Sequence, residues 1–361
     1  MKIAFVVARR MSGQGGMETI INRVLKNWGC PTDEITLVLS GKTGRDATWL
    51  AGTKHIKLWF QARLLGYPFL IAQLFFVLCR LRPDIAIAAD SKATRYCVWY
   101  KKWFQKELKV ACWLHMPFLQ RIGERAGRIK GADFYLCVSE GMAKNFISYD
   151  IDPGKIHTIY NPLEPAGASL VPRSAKAVFV YLGRMVAGRA KRTDDFVRAL
   201  SLLRGDWRAV AVGDGKDAGK IRELAKNLGI YDKIDWMGWQ ADPWAAVKEA
   251  SCLVLTSDFE AFGLTLTEAM QRGVFCLSSD CAPGPLEIVQ DGVNGQFYPI
   301  GDVEKLARLM QKIVDRPDAL PAAAAIAQSV EKYSAETVIA NMREICRGHL
   351  PKSAQSAQAQ T

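Results

Sequence analysis

AVFVYLGRMVAGRAKRTDDFVRAL, residues Ala177–Leu200, holds the elements on which the fold turns. An unbroken apolar run, Ala177 to Gly183, suits a strand buried on both faces. The glycine at its end opens a loop carrying Arg184, Arg189, Lys191 and Arg192, and a helical pattern follows. Strand, loop and helix in that order form the repeating unit of a parallel sheet covered by helices.

The same alternation recurs outward in both directions. Strands are expected at Ile3–Ala8, Glu34–Ser40, Asp84–Ala89, Val110–His115 and Phe134–Ser139, then at Ala177–Gly183, Arg208–Gly213, Ile234–Gly238, Cys252–Ser257 and Val274–Ser278. A chain of 361 residues exceeds what one core organises, so two Rossmann-like units in series are expected. Pro, Gly and Ser displace periodic structure between Pro162 and Pro172, where the join is expected. The domains are read as 1–165 and 172–330, followed by a helix over 331–349 that packs back on the first domain. A small polar tail, 350–361, is expected to be disordered.

Charge divides unequally between the halves. Residues 1–170 carry 24 Lys and Arg against 13 Asp and Glu, a net +11, while residues 171–361 carry 24 against 23, a net +1. A basic first half points to a polyanionic partner such as nucleic acid, an anionic membrane or a phosphorylated glycolipid; a solubilising surface reads equally well. Nucleic acid is set aside because no binding motif accompanies the charge. The nine cysteines form no C-x-x-C pair and several lie in apolar runs, which suits reduced thiols in the cytoplasm and neither disulfides nor a zinc site. The N-terminus lacks the shape of a signal peptide. Phe69–Cys79 is about half the ~20 residues of a membrane span and is expected to be a core helix.

Loops after strand ends in such sheets bind ligands, which selects five candidates. Ser12-Gly13-Gln14-Gly15-Gly16-Met17-Glu18 could bring backbone amides to an anion, although Glu18 stands where a dinucleotide fingerprint needs glycine, and an unliganded turn fits too. The cations at 184–192 could neutralise a diphosphate or simply be solvated. Val212-Gly213-Asp214-Gly215 and the run ending at Met237-Gly238-Trp239 suit a nucleobase and its ribose, or two ordinary turns. Glu260 and Glu268 lie eight positions apart around Phe262-Gly263-Leu264. Glu268 fits a capping box begun at Thr265, an explanation that does not reach Glu260. His115 ends an apolar strand, where a lone histidine is structural or functional.

Together these residues resemble the family 4 glycosyltransferases. The second half carries Gly183, Arg184 and Lys191, VGDG at 212–215, Glu260 with Glu268, and PGPLEIVQDGVNG at 283–295; the first adds GGME at 15–18, His115, VSEGM at 138–142 and YNP at 160–162. The resemblance implies a GT-B fold, α/β, with two Rossmann-like domains facing each other across a cleft. It implies retaining, metal-independent and cofactor-free sugar transfer from a nucleotide donor. Arg184 and Lys191 would hold the donor diphosphate, Glu260 the sugar hydroxyls, Glu268 the ribose, and the backbone at Met237–Trp239 the uracil. Gly15 and Gly16 would close over the phosphates, the amides at Gly263 and Leu264 would face them, and His115 would contact the sugar. Arg192 replaces a frequent glycine, leaving Lys191 and Arg192 both candidates for the phosphate ligand. No D-x-D stands in a phosphate-facing loop, and the two cations can do a metal's work.

Within the family the resemblance narrows, through MKIAF, GGMET, GRM and GWQ, to bacterial lipopolysaccharide core 1,6-galactosyltransferases. UDP-galactose is then the favoured donor, with UDP-glucose and UDP-N-acetylhexosamine as alternatives, lipopolysaccharide core the acceptor, and the inner face of the inner membrane the location. A nucleotide-sugar epimerase on the same architecture is the other enzymatic reading. Trp and Lys alternate through Val98–Phe104, which suits an interfacial helix or a core helix with solvated lysines.

Overall fold

The computed structural model describes residues 1–9, 11, 15–40, 48–58, 67–115, 127–164 and 168–350. Two compact units emerge: Met1–Pro162 together with the C-terminal stretch from Ala335, and Leu163–Ser334.

The first unit is built on seven parallel strands: β1 (Lys2–Val7), β2 (Glu34–Leu39), β3 (His55–Lys57), β4 (Ile85–Ala88), β5 (Lys109–Leu114), β6 (Phe134–Cys137) and β7 (Ile156–Thr158). Their order is β3-β2-β1-β4-β5-β6-β7, so the winding reverses between β1 and β4. Four described helices lie among the strands: α1 (Gly16–Lys26), α2 (Tyr67–Leu81), α3 (Ser91–Phe104) and α4 (Glu140–Ile147). Every residue of β4 is buried, as covering both sheet faces requires. Asp90, just beyond β4, ties the reversal point together. One carboxylate oxygen caps α3 through the amides of Lys92 and Ala93, and the other accepts from the amides of Ala8 and Arg9 beyond β1 at 2.6 and 3.0 Å.

The apolar segment Phe69–Cys79 lies in α2 but is not a core helix. Leu70, Leu74 and Leu78, at helical spacing, are buried, whereas Phe69 and Phe76 are about 60% exposed. Among the described residues no helix is long and apolar enough to cross a membrane. The C-terminal helix, Ala335–Gly348, belongs to the first unit. Arg343 donates to the Trp28 carbonyl at 2.8 Å, and His349 stacks face to face on Phe134 at 4.0 Å. Leu350 is buried, which removes it from the expected tail; 351–361 lie outside the described residues.

The second unit has six parallel strands, β8 (Ala177–Leu182), β9 (Trp207–Val212), β10 (Ile234–Gly238), β11 (Cys252–Leu255), β12 (Phe275–Ser279) and β13 (Gly295–Tyr298). Their order, β10-β9-β8-β11-β12-β13, reverses between β8 and β11. Helices α5 (Thr193–Ser201), α6 (Ala218–Asn227) and α7 (Leu264–Gln271) follow β8, β9 and β11. The crevice beyond the strand ends at such a reversal is where these sheets bind ligands.

Candidate active site

The loops after β8 and β11 meet at the reversal point of the second sheet. Lys191 Nζ lies 2.5 Å from Glu260 Oε1, and Ser257 Oγ donates to the same oxygen at 2.7 Å. Both partners therefore occupy Oε1, and Oε2 faces no protein donor among the described residues. One carboxylate oxygen is fixed and the other is available to a hydroxyl. The Glu260 backbone is also held, since its carbonyl accepts from Gly284 at 3.1 Å.

Three glycines bring neighbouring strand ends into register. The Gly183 amide donates to Val212, the Met185 amide to Asp214, and the Gly213 amide to Gly238, at 2.7–3.0 Å. A Cβ on Gly213 would sit 1.9 Å from the Gly183 carbonyl oxygen, and one on Gly215 2.2 Å from that of Met185. The backbones run closer than any side chain permits, so Gly213 is placed to hold the loop after β8. Arg184 is exposed, and its guanidinium forms no ion pair among the described residues. Its carbonyl is anchored by the Tyr181 hydroxyl at 3.0 Å.

Helix α7 starts earlier than a capping box at Thr265 requires. Its N-cap is Gly263, at φ 106 with no side-chain cap, so Thr265 lies inside the first turn and Thr267 Oγ1 bonds back to the Leu264 carbonyl at 3.0 Å. That corrects the capping reading of Glu268, which sits deeper in the helix and is buried. The amides of Leu264 and Thr265 have no acceptor among the described residues and present the positive end of the helix. Phe262 is buried with its ring edge-on to Tyr333 at 5.3 Å, so only its backbone can face a ligand. At the end of β10, Met237 and the following Trp239 are 38–39% exposed, and Gly238, the last residue of the strand, turns between them at φ 65. The Met237 carbonyl already accepts from Gln240 Nε2 at 2.8 Å.

Arg192 stands apart from the other cations. Its Nε donates to Asp195 at 2.6 Å and its Nη1 to Asp258 at 3.4 Å. Two carboxylates balance one guanidinium, whereas Arg184 has no ion-pair partner among the described residues. Sequence reasoning singled out none of Ser257, Thr256, Asp258 or Asp195 as a site residue. The only available signal was their position just after β11 and at the start of α5.

In the first unit, Gly15 is the N-cap of α1 and Gly16 its first residue; a Cβ on Gly15 would lie 2.7 Å from Glu18 Oε2. Ser12, Gly13 and Gln14 of that loop lie outside the described residues. His115 follows β5 with its ring edge-on to Trp113 at 4.3 Å. The residue as a whole is partly exposed, but Nε2 is buried and has no hydrogen-bond partner among the described residues. Burial, reinforced by the charge of Arg9, lowers its pKa to about 3. At neutral pH it acts as a dipole and not a charge. The ordinary value is 6.5, so below that pH the unfolded chain binds a proton the folded chain refuses until about 3. Stability from this group is therefore complete above pH 6.5 and falls with pH below it. Thermal melting between pH 7 and 5 is expected to drop less in His115→Gln than in the parent; equal drops would contradict this.

Residues 168–332 match the model of the glycosyl transferases group 1, and residues 14–166 that of glycosyltransferase family 4. The chain is 33% identical to the lipopolysaccharide 1,6-galactosyltransferase of Escherichia coli K12 over 87% of its own length and 89% of that protein's. The chain belongs to the family 4 glycosyltransferases. The Salmonella typhimurium protein of the same name is 31% identical over 87% of this glycosyltransferase and 90% of its own chain. Among solved structures, the apo form of the lipopolysaccharide outer core galactosyltransferase WaaB matches with a TM-score of 0.83 at 28% identity, covering 97% of this chain and 100% of that one. Anabaena HepE in complex with UDP-glucose shares the fold, with a TM-score of 0.82 at 19% identity over 96% and 100% of the two chains. Two Rossmann-like domains with these sheets make the architecture GT-B.

Proposed function

We propose that this glycosyltransferase moves galactose from UDP-galactose onto the lipopolysaccharide core, with retention of anomeric configuration. The observation that carries the substrate is the 33% identity, over nearly the full length of both chains, to an enzyme named for that transfer. The site supports the chemistry. Lys191, Arg184 and the amides of Leu264 and Thr265 supply positive potential where charge develops as UDP departs. Glu260 Oε2 takes a hydroxyl of the donor sugar, and Glu268 the ribose. The backbone around Met237, Gly238 and Trp239 receives the uracil, with Gly213 setting the neighbouring turn. Gly15, Gly16 and His115 act on the donor from the first domain, His115 through its neutral ring. Lys191, and not the doubly paired Arg192, is the phosphate ligand. Cations and helix amides here can do the work that a metal does elsewhere.

The deciding experiment offers UDP-galactose, UDP-glucose and their N-acetyl forms to truncated lipopolysaccharide cores, with the product's linkage read by NMR. Transfer from UDP-galactose giving an α-linked 1,6 product is expected. Preferred transfer from another donor would overturn the substrate assignment, and interconversion of sugar nucleotides without acceptor would make the chain an epimerase.

The first domain is assigned to the acceptor and to the cytoplasmic face of the inner membrane. Trp103 is 72% exposed, Phe104 57% and Trp99 41%, and α2 adds Phe69 and Phe76. Lys102 and Lys106 are exposed beside them, while Lys101 is paired with Asp133 at 2.5 Å. Aromatic side chains interleaved with cations suit an anionic headgroup layer. Sedimentation with vesicles is expected to be stronger with phosphatidylglycerol than with phosphatidylcholine, and weaker after Trp103→Ser with Lys102→Glu. Equal binding to both lipids would remove the charge argument.

A further inference from the structure

The chain on either side of Lys191 is left-handed. Ala190 has φ 78 and Arg192 φ 46, conformations that residues with a Cβ avoid. Two such residues around one lysine persist only where the surroundings hold them. Asp258 does most of the holding. Its Oδ2 accepts from the Ala190 amide at 2.8 Å, and its own amide donates to the Ala190 carbonyl at 2.9 Å. Its Oδ1 takes Arg192 Nη1 at 3.4 Å, so one carboxylate bridges both left-handed positions. Thr256 Oγ1 donates to the Lys191 carbonyl between them at 2.7 Å. Arg192 completes the clamp through Asp195 at 2.6 Å, and the chain makes room for it: a Cβ on Gly301 would lie 2.7 Å from its Nη2.

We propose that Arg192 is a positioning residue, whose guanidinium, gripped by Asp258 and Asp195, holds the left-handed turn that aims Lys191 at the donor diphosphate. The inference rests on Lys191 being the phosphate ligand. Arg192 serves the donor through the backbone conformation that its ion pairs hold, and not through a contact of its own with the diphosphate. An unpaired side chain at 192 lets the turn relax out of the left-handed region, and only the fraction of molecules that keeps it binds normally.

Calorimetric titration with UDP separates the possibilities. Arg192→Ala keeps the Cβ and loses the clamp, so UDP affinity is expected to fall roughly tenfold. Arg192→Gly loses the same ion pairs but adopts φ 46 freely, and is expected to stay within about threefold of the parent. Equal losses in both variants would make Arg192 a ligand and overturn the proposal. Unchanged affinity in both, even with lowered melting temperatures, would leave it a stabilising pair only and overturn it as well. Lys191→Met, measured alongside, must weaken UDP binding; if it does not, the assignment of Lys191 itself fails, whatever the Arg192 variants do.

Discussion

Glu260→Ala is expected to lower sugar transfer by roughly 10²- to 10³-fold while UDP still binds. Oε1 of Glu260 is committed to Lys191 and Ser257, and in the proposed mode Oε2 takes a sugar hydroxyl, so the truncation removes that proposed contact. Lys191 loses its ion-pair partner and, as the proposed phosphate ligand, remains free to meet the diphosphate. UDP affinity should therefore hold or rise slightly as turnover collapses. The glutamate side chain is 19% exposed, so its loss leaves no large cavity, and melting should shift by no more than about 4 °C. Glu260→Gln keeps a hydrogen-bonding tip but drops the charge, and should fall between the two. Near-normal turnover in Glu260→Ala would show that the sugar does not sit on this carboxylate.

Gly213→Ala is expected to have the largest effect on the fold. The added carbon would enter the backbone of the neighbouring loop, 1.9 Å from the Gly183 oxygen, at a φ of 135 that alanine does not adopt. Relief requires parting two hydrogen-bonded strand ends, a cost of at least about 3 kcal/mol. That corresponds to a fall in melting temperature of roughly 6–12 °C, or to loss of soluble protein. Gly219→Ala is the control, because Gly219 lies within α6 and a Cβ there would meet nothing within 4 Å. It should stabilise by about 0.5–1 kcal/mol. Similar outcomes for the two variants would mean that the loops after β8 and β9 are not locked by close approach.

The central strands were legible in the sequence because burial on both faces forces continuous apolar runs such as Ile85–Ala88 and Ala177–Leu182. β3, β7 and β13 were missed, and all three lie at sheet edges. They are only three or four residues long, and exposed positions such as His55 and Lys57 and the half-buried His157 interrupt any apolar signal. Loop composition picked out Lys191 and Glu260 but could not choose between Lys191 and Arg192. The proposed choice of Lys191 rests on Arg192 folding back onto Asp195 and Asp258, and hence on backbone angles set across two loops. The capping box at Thr265 misled for a related reason: Gly263, free to turn left-handed, starts the helix before the box begins. Likewise, the apolar run in α2 gave no sign that Phe69 and Phe76 would face outward, because helical phase relative to the sheet decides which side is covered.

The most direct measurement is a crystal structure with UDP and an unreactive UDP-galactose analogue bound. The diphosphate is expected on Lys191 and Arg184 above the amides of Leu264 and Thr265, the galactose on Glu260, and Arg192 still between Asp195 and Asp258. A donor anchored by Arg192, or seated away from the crevice between β8 and β11, would contradict the mechanism proposed for this glycosyltransferase.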